Sequence, residues 1–174
     1  MTDPRSRLPV CDLDYLTGVL ACPDCRVPLI VPGDVDLRCG DCGACFVRLP
    51  FGWDLRPAST RPASDLWPVW EQMQANGVVS YASDPEHNLG VGPRPDYLAF
   101  GQFCRFDGDV LDVGCGPQAW PTHFTDYTSR TRFVGVDPLV GDAPADYAQL
   151  RALGERLPFR NDTFDHLVLS LIHI

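Results

Sequence analysis

The chain has 174 residues, a formal net charge of −9 and eight cysteines, and this length suits one ordinary domain or two small ones. An acidic chain without a basic block is a poor generic binder of phosphate backbones, which argues against DNA as a partner. The sequence has no apolar run of about 18 residues and no signal-peptide core near its start, so we expect a cytoplasmic protein without membrane contact.

Five of the cysteines lie close together after a short helix or turn that we predict at residues 14–20. Cys22 and Cys25 form one Cys-x2-Cys pair, and Cys39 and Cys42 form a second. Two such pairs at this separation are typical of tetrahedral zinc sites, because each tight turn offers two thiolates to one ion. A disulfide framework is the alternative, but it requires an oxidising compartment that nothing else in the sequence indicates.

The fifth residue of this group, Cys45, makes the ligand set ambiguous, because it follows Cys42 at the same spacing. Glycine after the second cysteine of a pair relieves the crowded turn, and Gly43 follows Cys42, so Cys45 is interpreted as a spare. The predicted zinc ligands are Cys22, Cys25, Cys39 and Cys42. Four thiolates leave no open coordination position, which favours a structural metal. Ribbon strands are predicted at residues 28–31 and 45–48.

Residues 55–64 are rich in proline, serine and alanine and lack apolar periodicity, which is typical of a linker. After it, Ser64 or Asp65 is placed to cap a helix that runs through Asn76. Pro68 fits the first turn of that helix. One apolar stripe on the helix contains Trp67, Trp70 and Met73. The stripe is interpreted as core packing, with a lid over a substrate as the alternative.

The next segment, 88–95, is predicted to be a loop, and Asp96 to cap a helix that runs to about Phe106. Three residues before this helix have side chains suited to ligand contact, but a solvated loop is the preferred interpretation for each. They are Tyr81, His87 and Arg94.

Residues 110, 111 and 113 are apolar and suit a strand buried on both faces of a parallel sheet. Gly114 and Gly116 follow, and glycines here allow a sharp turn and let a ligand lie directly against the backbone. A helix is expected next, with its free N–H groups toward the ligand. Pro121 follows Pro117 by only four residues. Either Pro121 lies in the first turn of that helix, or the helix starts later.

One interpretation of this loop is a dinucleotide-binding site, because Gly114, Gly116 and Ala119 nearly fit the glycine fingerprint of such sites. Asp112 argues against it, since a dinucleotide site usually has an apolar strand residue there. Pro117 after the second glycine is a further departure from that pattern.

A second strand is predicted at Phe133–Val136, and it ends at Asp137. Its distance from the glycine loop is roughly the 20 residues that bring a carboxylate within reach of a ribose. Between the two strands, His123 is interpreted as a surface or packing residue rather than a general base. Further along, the segment 152–165 contains the sequences LPF and FD and is expected to lead into another strand.

These features, in this order, resemble the motifs of the class I S-adenosylmethionine (SAM) dependent methyltransferases, in particular the type 11-like group. The first motif is Asp112 followed by Gly114 and Gly116, with a cysteine between the glycines and a proline after them. The second is the strand that ends at Asp137. The segment 152–165 is similar to the third and fourth motifs.

The segment 16–53 resembles small zinc ribbons that are sometimes fused ahead of methyltransferases, as in certain ribosomal-RNA guanine methyltransferases. Together the resemblances imply an α/β protein with an N-terminal zinc ribbon and an incomplete Rossmann-like SAM-methyltransferase sheet. The implied division is a ribbon at 1–54, a linker at 55–64 and the first part of the methyltransferase domain at 65–174.

The resemblances imply two cofactors, zinc and SAM. The residues implied to bind SAM are Asp112, Gly114, Gly116, Asp137, Leu153 and Gly154. In the roles carried over from the family, the two glycines approach the amino-acid part of SAM, and Asp112 helps to position it.

Asp137 is implied to accept hydrogen bonds from both ribose hydroxyls, and the backbone of Leu153 and Gly154 to face the adenine. Many relatives carry Asp at the position of Leu153. Methyl transfer requires alignment of the reactants and exclusion of water, so no dedicated catalytic residue is assigned. The expected acceptor is a small metabolite or an RNA guanine.

A second hypothesis is a zinc-ribbon interaction module that carries a non-catalytic, SAM-binding-like fold. Only the first strands of a methyltransferase sheet are encoded, so the chain by itself is expected to be inactive. Residues 169–174 contain two of the three isoleucines of the chain, and we interpret them as adaptor-derived rather than as part of the gene.

Overall fold

The computed structural model describes residues 13–30, 36–50, 52–57, 67–84, 95–117, 120–121, 123–140 and 145–169. These residues form a mixed α/β structure whose centre is a parallel sheet of four strands. The helices are α1 (Leu13–Val19), α2 (Trp67–Ser83) and α3 (Pro95–Cys104), and a short 3-10 turn spans Gly154–Arg156. None of the helices in these ranges is long and apolar enough to cross a membrane.

The strands fall into an N-terminal group and a C-terminal group. The N-terminal strands are β1 (Leu29–Ile30), β2 (Leu37–Cys39), β3 (Cys45–Phe46), β4 (Arg48–Leu49) and β5 (Gly52–Trp53). The C-terminal strands are β6 (Asp109–Val113), β7 (Arg132–Val136), β8 (Ala148–Leu150) and β9 (His166–Leu169). The predicted strands at 110–113 and 133–136 and the strand after the segment 152–165 are confirmed, whereas β2, β5 and β8 were not predicted.

The parallel sheet has the order β8-β7-β6-β9. Val113 at the end of β6 lies beside Val136 of β7 on one side and Leu169 of β9 on the other. The strands β6, β7 and β8 therefore follow one another across the sheet, and β9 returns to the opposite side of β6. In open parallel sheets, ligands bind outside the carboxyl ends of the strands at the point where this reversal occurs.

The N-terminal strands form an antiparallel sheet β1-β2-β3 and a separate pair β4-β5. Leu29 of β1 lies opposite Cys39 of β2, and Leu37 of β2 lies opposite Phe46 of β3. These four side chains are buried. We call residues 13–57, as far as they are described, the N-terminal module.

The N-terminal module and the parallel sheet share one hydrophobic core. Each buried leucine, valine or phenylalanine contributes about 1.5–3 kcal/mol relative to exposure, so this shared surface is a major part of the stability of both. The members from the module include Leu16, Leu20, Leu29, Leu37, Phe46, Trp53 and Leu55, and those from the sheet and its loops include Leu111, Val113, Val134, Val136, Leu150 and Phe159.

The end of the module also pairs with the edge of the parallel sheet. Arg151, directly after β8, donates its N–H to the carbonyl of Trp53 at 3.1 Å, and Leu55 donates to the carbonyl of Arg151 at 2.8 Å. Leu55, the first residue of the predicted linker, is fully buried. The predicted linker beyond residue 57 lies outside the described residues, and the domain boundaries stay predictions.

The opposite face of the sheet is covered by an aromatic cluster. Phe106, after α3, packs edge-to-face against Phe124 and Phe133. Phe124 and Phe133 are stacked with their ring centroids 4.0 Å apart. Both faces of β6 and β7 are therefore buried, as a parallel sheet requires.

The predicted helix after the linker is present as α2, but it extends to Ser83 rather than ending at Asn76. Tyr81 therefore lies in a helix and not in a loop, so that prediction is wrong. The interpretation of the apolar stripe as core packing is wrong at Met73, whose residue surface is 61% exposed. The side chains of Trp67 and Trp70 lie outside the described set, and the lid interpretation stays a prediction.

The helix predicted from Asp96 is also present, as α3. It begins one residue earlier, at Pro95, so Asp96 lies inside the first turn rather than at the cap. Proline is well tolerated at the first helical position, because its missing N–H has no partner there in any case. His87 and Arg94 fall outside the described residues.

Gly52 controls how closely β5 approaches β8. A Cβ atom at Gly52 would lie 2.3 Å from the carbonyl oxygen of Gln149, which no side chain tolerates. We predict that Gly52→Ala lowers the free energy of unfolding by about 1–3 kcal/mol through overpacking. Gly18→Ala is the matched control, because nothing lies within 4 Å of its added Cβ and alanine favours helix. Urea titration of wild type and both variants measures the free energies of unfolding. A Gly52→Ala variant as stable as wild type would contradict the close packing of β5 on β8.

Candidate functional site

The structure brings the four predicted zinc ligands together. The sulfur atoms of Cys22, Cys25, Cys39 and Cys42 all lie within 4.8 Å of one another. Two of the separations are 3.7 Å, between Cys22 and Cys42, and 3.2 Å, between Cys25 and Cys39. Zinc–sulfur bonds of about 2.3 Å in a tetrahedron place sulfur atoms about 3.8 Å apart, so the cluster fits such an ion. Cys45, exposed in β3, is not a member of this cluster.

The two cysteine turns have the same backbone geometry. Arg26 donates its N–H to the carbonyl of Cys22 at 2.9 Å, and Gly43 donates to the carbonyl of Cys39 at 3.1 Å. Both residues after the second cysteine have positive φ, 66° at Arg26 and 72° at Gly43. The glycine predicted to relieve the second turn therefore does so, whereas the first turn places an arginine in the same left-handed conformation.

The thiols of the cluster differ in pKa. Burial raises the pKa of Cys39, but N–H donors from Cys42 and Asp41 outweigh this effect and lower it to about 7. The hydrogen bond with the sulfur of Cys39 and burial raise the pKa of Cys25 to about 12. Burial also raises the pKa of Cys22. Because thiolates are the metal-binding form, a bound dication would displace these protons.

The predicted glycine loop lies at the carboxyl end of β6. Gly114 and Gly116 have φ values of 76° and 66°, which L-residues with side chains rarely adopt. Gly114 donates its N–H to the carbonyl of Val136 at 2.8 Å, which ties the loop to the end of β7. Among the described residues, no atom lies within 4 Å of a Cβ added at Gly116. The loop therefore leaves open space directly beside its backbone.

Asp137 follows β7, and its carboxylate lies against this loop. Gly116 donates its N–H to Oδ2 at 3.1 Å, and Leu139 donates to Oδ1 at 2.8 Å. Burial raises the pKa of Asp137, and the two N–H donors act in the opposite direction. Each carboxylate oxygen has a second lone pair, so the group retains capacity for a ligand hydroxyl.

Leu153 and Gly154 lie at the same edge of the sheet. Leu153 is extended, with φ −100° and ψ 137°, and it precedes the 3-10 turn that starts at Gly154. A Cβ added at Gly154 would lie 3.1 Å from a methyl carbon of Val113. The residues predicted to face adenine are thus placed next to the end of β6, close to the start of the glycine loop.

Asp112 has a partner that the sequence did not indicate. It is fully buried in β6, and its Oδ2 lies 3.7 Å from Nε2 of His123. Burial lowers the pKa of His123 to about 4, so the imidazole is neutral at pH 7. His123 is buried rather than exposed, and the interpretation that it is not a general base stays a prediction. Eleven residues separate the pair along the chain, and no local spacing rule connects them.

The helix predicted after Gly116 is wrong for the described residues. Between 116 and 131 these residues form turns and bends with no helix. Pro117 and Pro121 account for this, because each removes a backbone donor and fixes φ within what would be the first turns. The N–H groups at this site therefore come from the glycine loop and not from a helix N-terminus.

Neither a protein-family model nor a curated protein matches this sequence. The cysteine cluster and the glycine loop differ in the groups that they offer to a ligand. One site offers four sulfur donors at separations that suit a tetrahedral ion. The other offers an open glycine loop flanked by the carboxylates of Asp112 and Asp137, at the reversal point of a parallel sheet.

The depressed pKa of His123 makes the stability depend on pH. Its pKa is 6.5 when unperturbed and about 4 in the folded chain, so the unfolded state binds the proton more tightly. The free energy of unfolding should therefore fall as the pH decreases from 6.5 to 4, by about 3 kcal/mol from this residue alone. Chemical denaturation across this range should show a flatter acid limb for His123→Gln than for wild type. Parallel curves would contradict a buried neutral imidazole.

Proposed function

We propose that the protein is a SAM-dependent methyltransferase with a structural zinc centre. One observation carries the proposal. The glycine loop, Asp137 and the segment 153–154 converge at the carboxyl ends of adjacent parallel strands, beside the point where the strand order reverses. The order of the four strands is that of the first four strands of a doubly wound, Rossmann-like sheet, which supports the same assignment.

The charges at the site favour a cationic cofactor over a dinucleotide. Asp112 is fully buried and Asp137 is partly buried beside the loop. A pyrophosphate would approach these two carboxylates without a helix N-terminus to offset the repulsion, since the described residues after Gly116 contain none. A sulfonium cofactor with an ammonium group is attracted by the same carboxylates.

In the proposed complex, SAM supplies an electrophilic methyl group on a positively charged sulfur. The Gly116 backbone accepts the amino-acid part closely, because no side chain of the described residues fills the space beside it, and Gly114 contributes to the sharp turn through its positive φ. Asp137 accepts hydrogen bonds from ribose hydroxyls through its remaining lone pairs. The contribution of this chain to catalysis is alignment and exclusion of water. The proposed acceptor is a small metabolite or an RNA guanine, as the resemblance implies.

The zinc centre has a structural role in this proposal. Four sulfur ligands complete a tetrahedron and leave no position for a substrate. Cys22 and Cys39 are also part of the core that the module shares with the parallel sheet. The ion would therefore fix the two cysteine turns against that core.

We predict one tightly bound zinc per chain when the protein is prepared under reducing, metal-replete conditions. Cys39→Ser should release the metal, because it removes one of four ligands, a thiol whose pKa is lowered to about 7. Cys45→Ser is the matched control and should retain a full equivalent, because Cys45 lies outside the cluster. Metal analysis measures both. Less than about half an equivalent in wild type would contradict a four-thiolate zinc site.

We predict that SAM binds and that Asp137→Ala weakens binding by about 1.5–3 kcal/mol, the range for hydrogen bonds to a charged group. Asp146→Ala is the control, because Asp146 is an exposed carboxylate before β8. Calorimetry with the 174-residue chain makes the comparison.

Three results would separate the hypotheses. Equal affinity of wild type and Asp137→Ala would remove Asp137 from the site. Tight NADH binding without SAM binding would favour the dinucleotide interpretation. Zinc binding with neither nucleotide would favour an interaction module with a non-catalytic fold.

A further inference from the structure

The N-terminal module holds the segment that leads from the 3-10 turn to β9. Ala21 donates its N–H to the carbonyl of Pro158, and Arg160 donates to the carbonyl of Val19, both at 2.9 Å. The two stretches therefore pair antiparallel. The segment 157–160 is fixed by the module and not only by its own sheet.

Arg26 adds a side-chain contact to this pairing. Its Nη2 donates to the carbonyl of Phe159 at 3.0 Å, and its Nη1 donates to the carbonyl of Leu157. A guanidinium has several donors in a fixed plane, so it holds two carbonyls of one segment at a defined separation. The nearby pair of Asp24 and Arg156, at 3.6 Å, is partly exposed and adds little.

The backbone of Arg26 belongs to the first cysteine turn. It directly follows Cys25, closes the turn through its hydrogen bond to Cys22, and has φ 66°. Arginine does not favour this left-handed conformation, so the turn imposes it. The direction of the guanidinium therefore depends on the turn, which a bound metal ion stabilises.

The module also holds the chain before this segment, at Arg151. Arg151 exchanges backbone hydrogen bonds with Trp53 and Leu55. The residues between Arg151 and Leu157 include Leu153 and Gly154, which lie against the end of β6. Both ends of this short stretch are thus attached to the module.

We propose that Arg26 is a positioning residue that couples the occupancy of the cysteine cluster to the conformation of residues 153–160. This inference rests on the proposed function where it concerns SAM, because Leu153 and Gly154 are the residues assigned to the adenine. Binding of zinc and binding of SAM are then positively coupled, and the coupling is reciprocal.

Hydrogen exchange measured by mass spectrometry tests the coupling without any activity assay. In wild type, removing zinc with a chelator should raise the exchange rate of peptides covering 153–160 at least about tenfold, relative to a β6 peptide that reports global unfolding. Arg26→Gly should show the faster exchange even with zinc bound. Glycine tolerates the positive φ, so this variant should keep a full equivalent of zinc.

Arg38→Ala is the matched control, because Arg38 is exposed in β2 of the same module. It should exchange like wild type. Unchanged protection of 153–160 in zinc-loaded Arg26→Gly would overturn the role of Arg26. The role of Arg26 would also be overturned if removing zinc raised the exchange rate of 153–160 by the same factor in wild type and in Arg26→Gly. Each protein is compared with its own zinc-loaded form.

SAM titration of the same samples extends the test to the cofactor site. Affinity should fall at least about tenfold on chelation of wild type and by a similar factor in zinc-loaded Arg26→Gly. Suppose that zinc removal and Arg26→Gly both raise the exchange rate of 153–160, but no sample binds SAM. That outcome would contradict the proposed function and still support Arg26 as the residue that links the cysteine turn to 153–160. SAM affinity that ignores both zinc and Arg26 would overturn the coupling to the cofactor site.

Discussion

The burial of one face of the parallel sheet by the N-terminal module is the contact on which the described structure depends. A parallel sheet requires apolar cover on both faces. The aromatic cluster around Phe106 covers one face, and the module covers the other. The module in turn has few core residues of its own, and small domains of this size rarely fold without a metal or a neighbour. Each part therefore completes the core of the other.

This packing places the cluster of four cysteines in the same structure as the glycine loop. The turns that hold the sulfur atoms also carry Ala21 and Arg26, which bind the segment 157–160. That segment continues from Leu153 and Gly154, beside the glycine loop. A change in the cysteine turns is thus transmitted through a few backbone hydrogen bonds and one guanidinium rather than through a long path.

The glycine loop lies beside two aspartates of different burial, Asp112 fully buried and Asp137 partly buried. Gly116 leaves free space, and its N–H is oriented by the carboxylate of Asp137. Asp112 is buried beside a neutral His123. Carboxylates in such surroundings interact more strongly with a positive ligand than they would in water. Ionised, the two carboxylates would favour a positively charged ligand over an anionic one.

The sequence by itself determined the parts that depend on neighbouring residues. Cysteine spacing with Gly43 defined the second turn, and apolar runs ending in glycine or Asp137 defined β6 and β7. Tertiary structure alone decided the contacts between distant segments, including Arg26 with Phe159, His123 with Asp112 and Leu55 with Arg151. Turn and strand preferences are local, whereas these contacts follow from which apolar faces pack together, and no spacing along the chain encodes that choice.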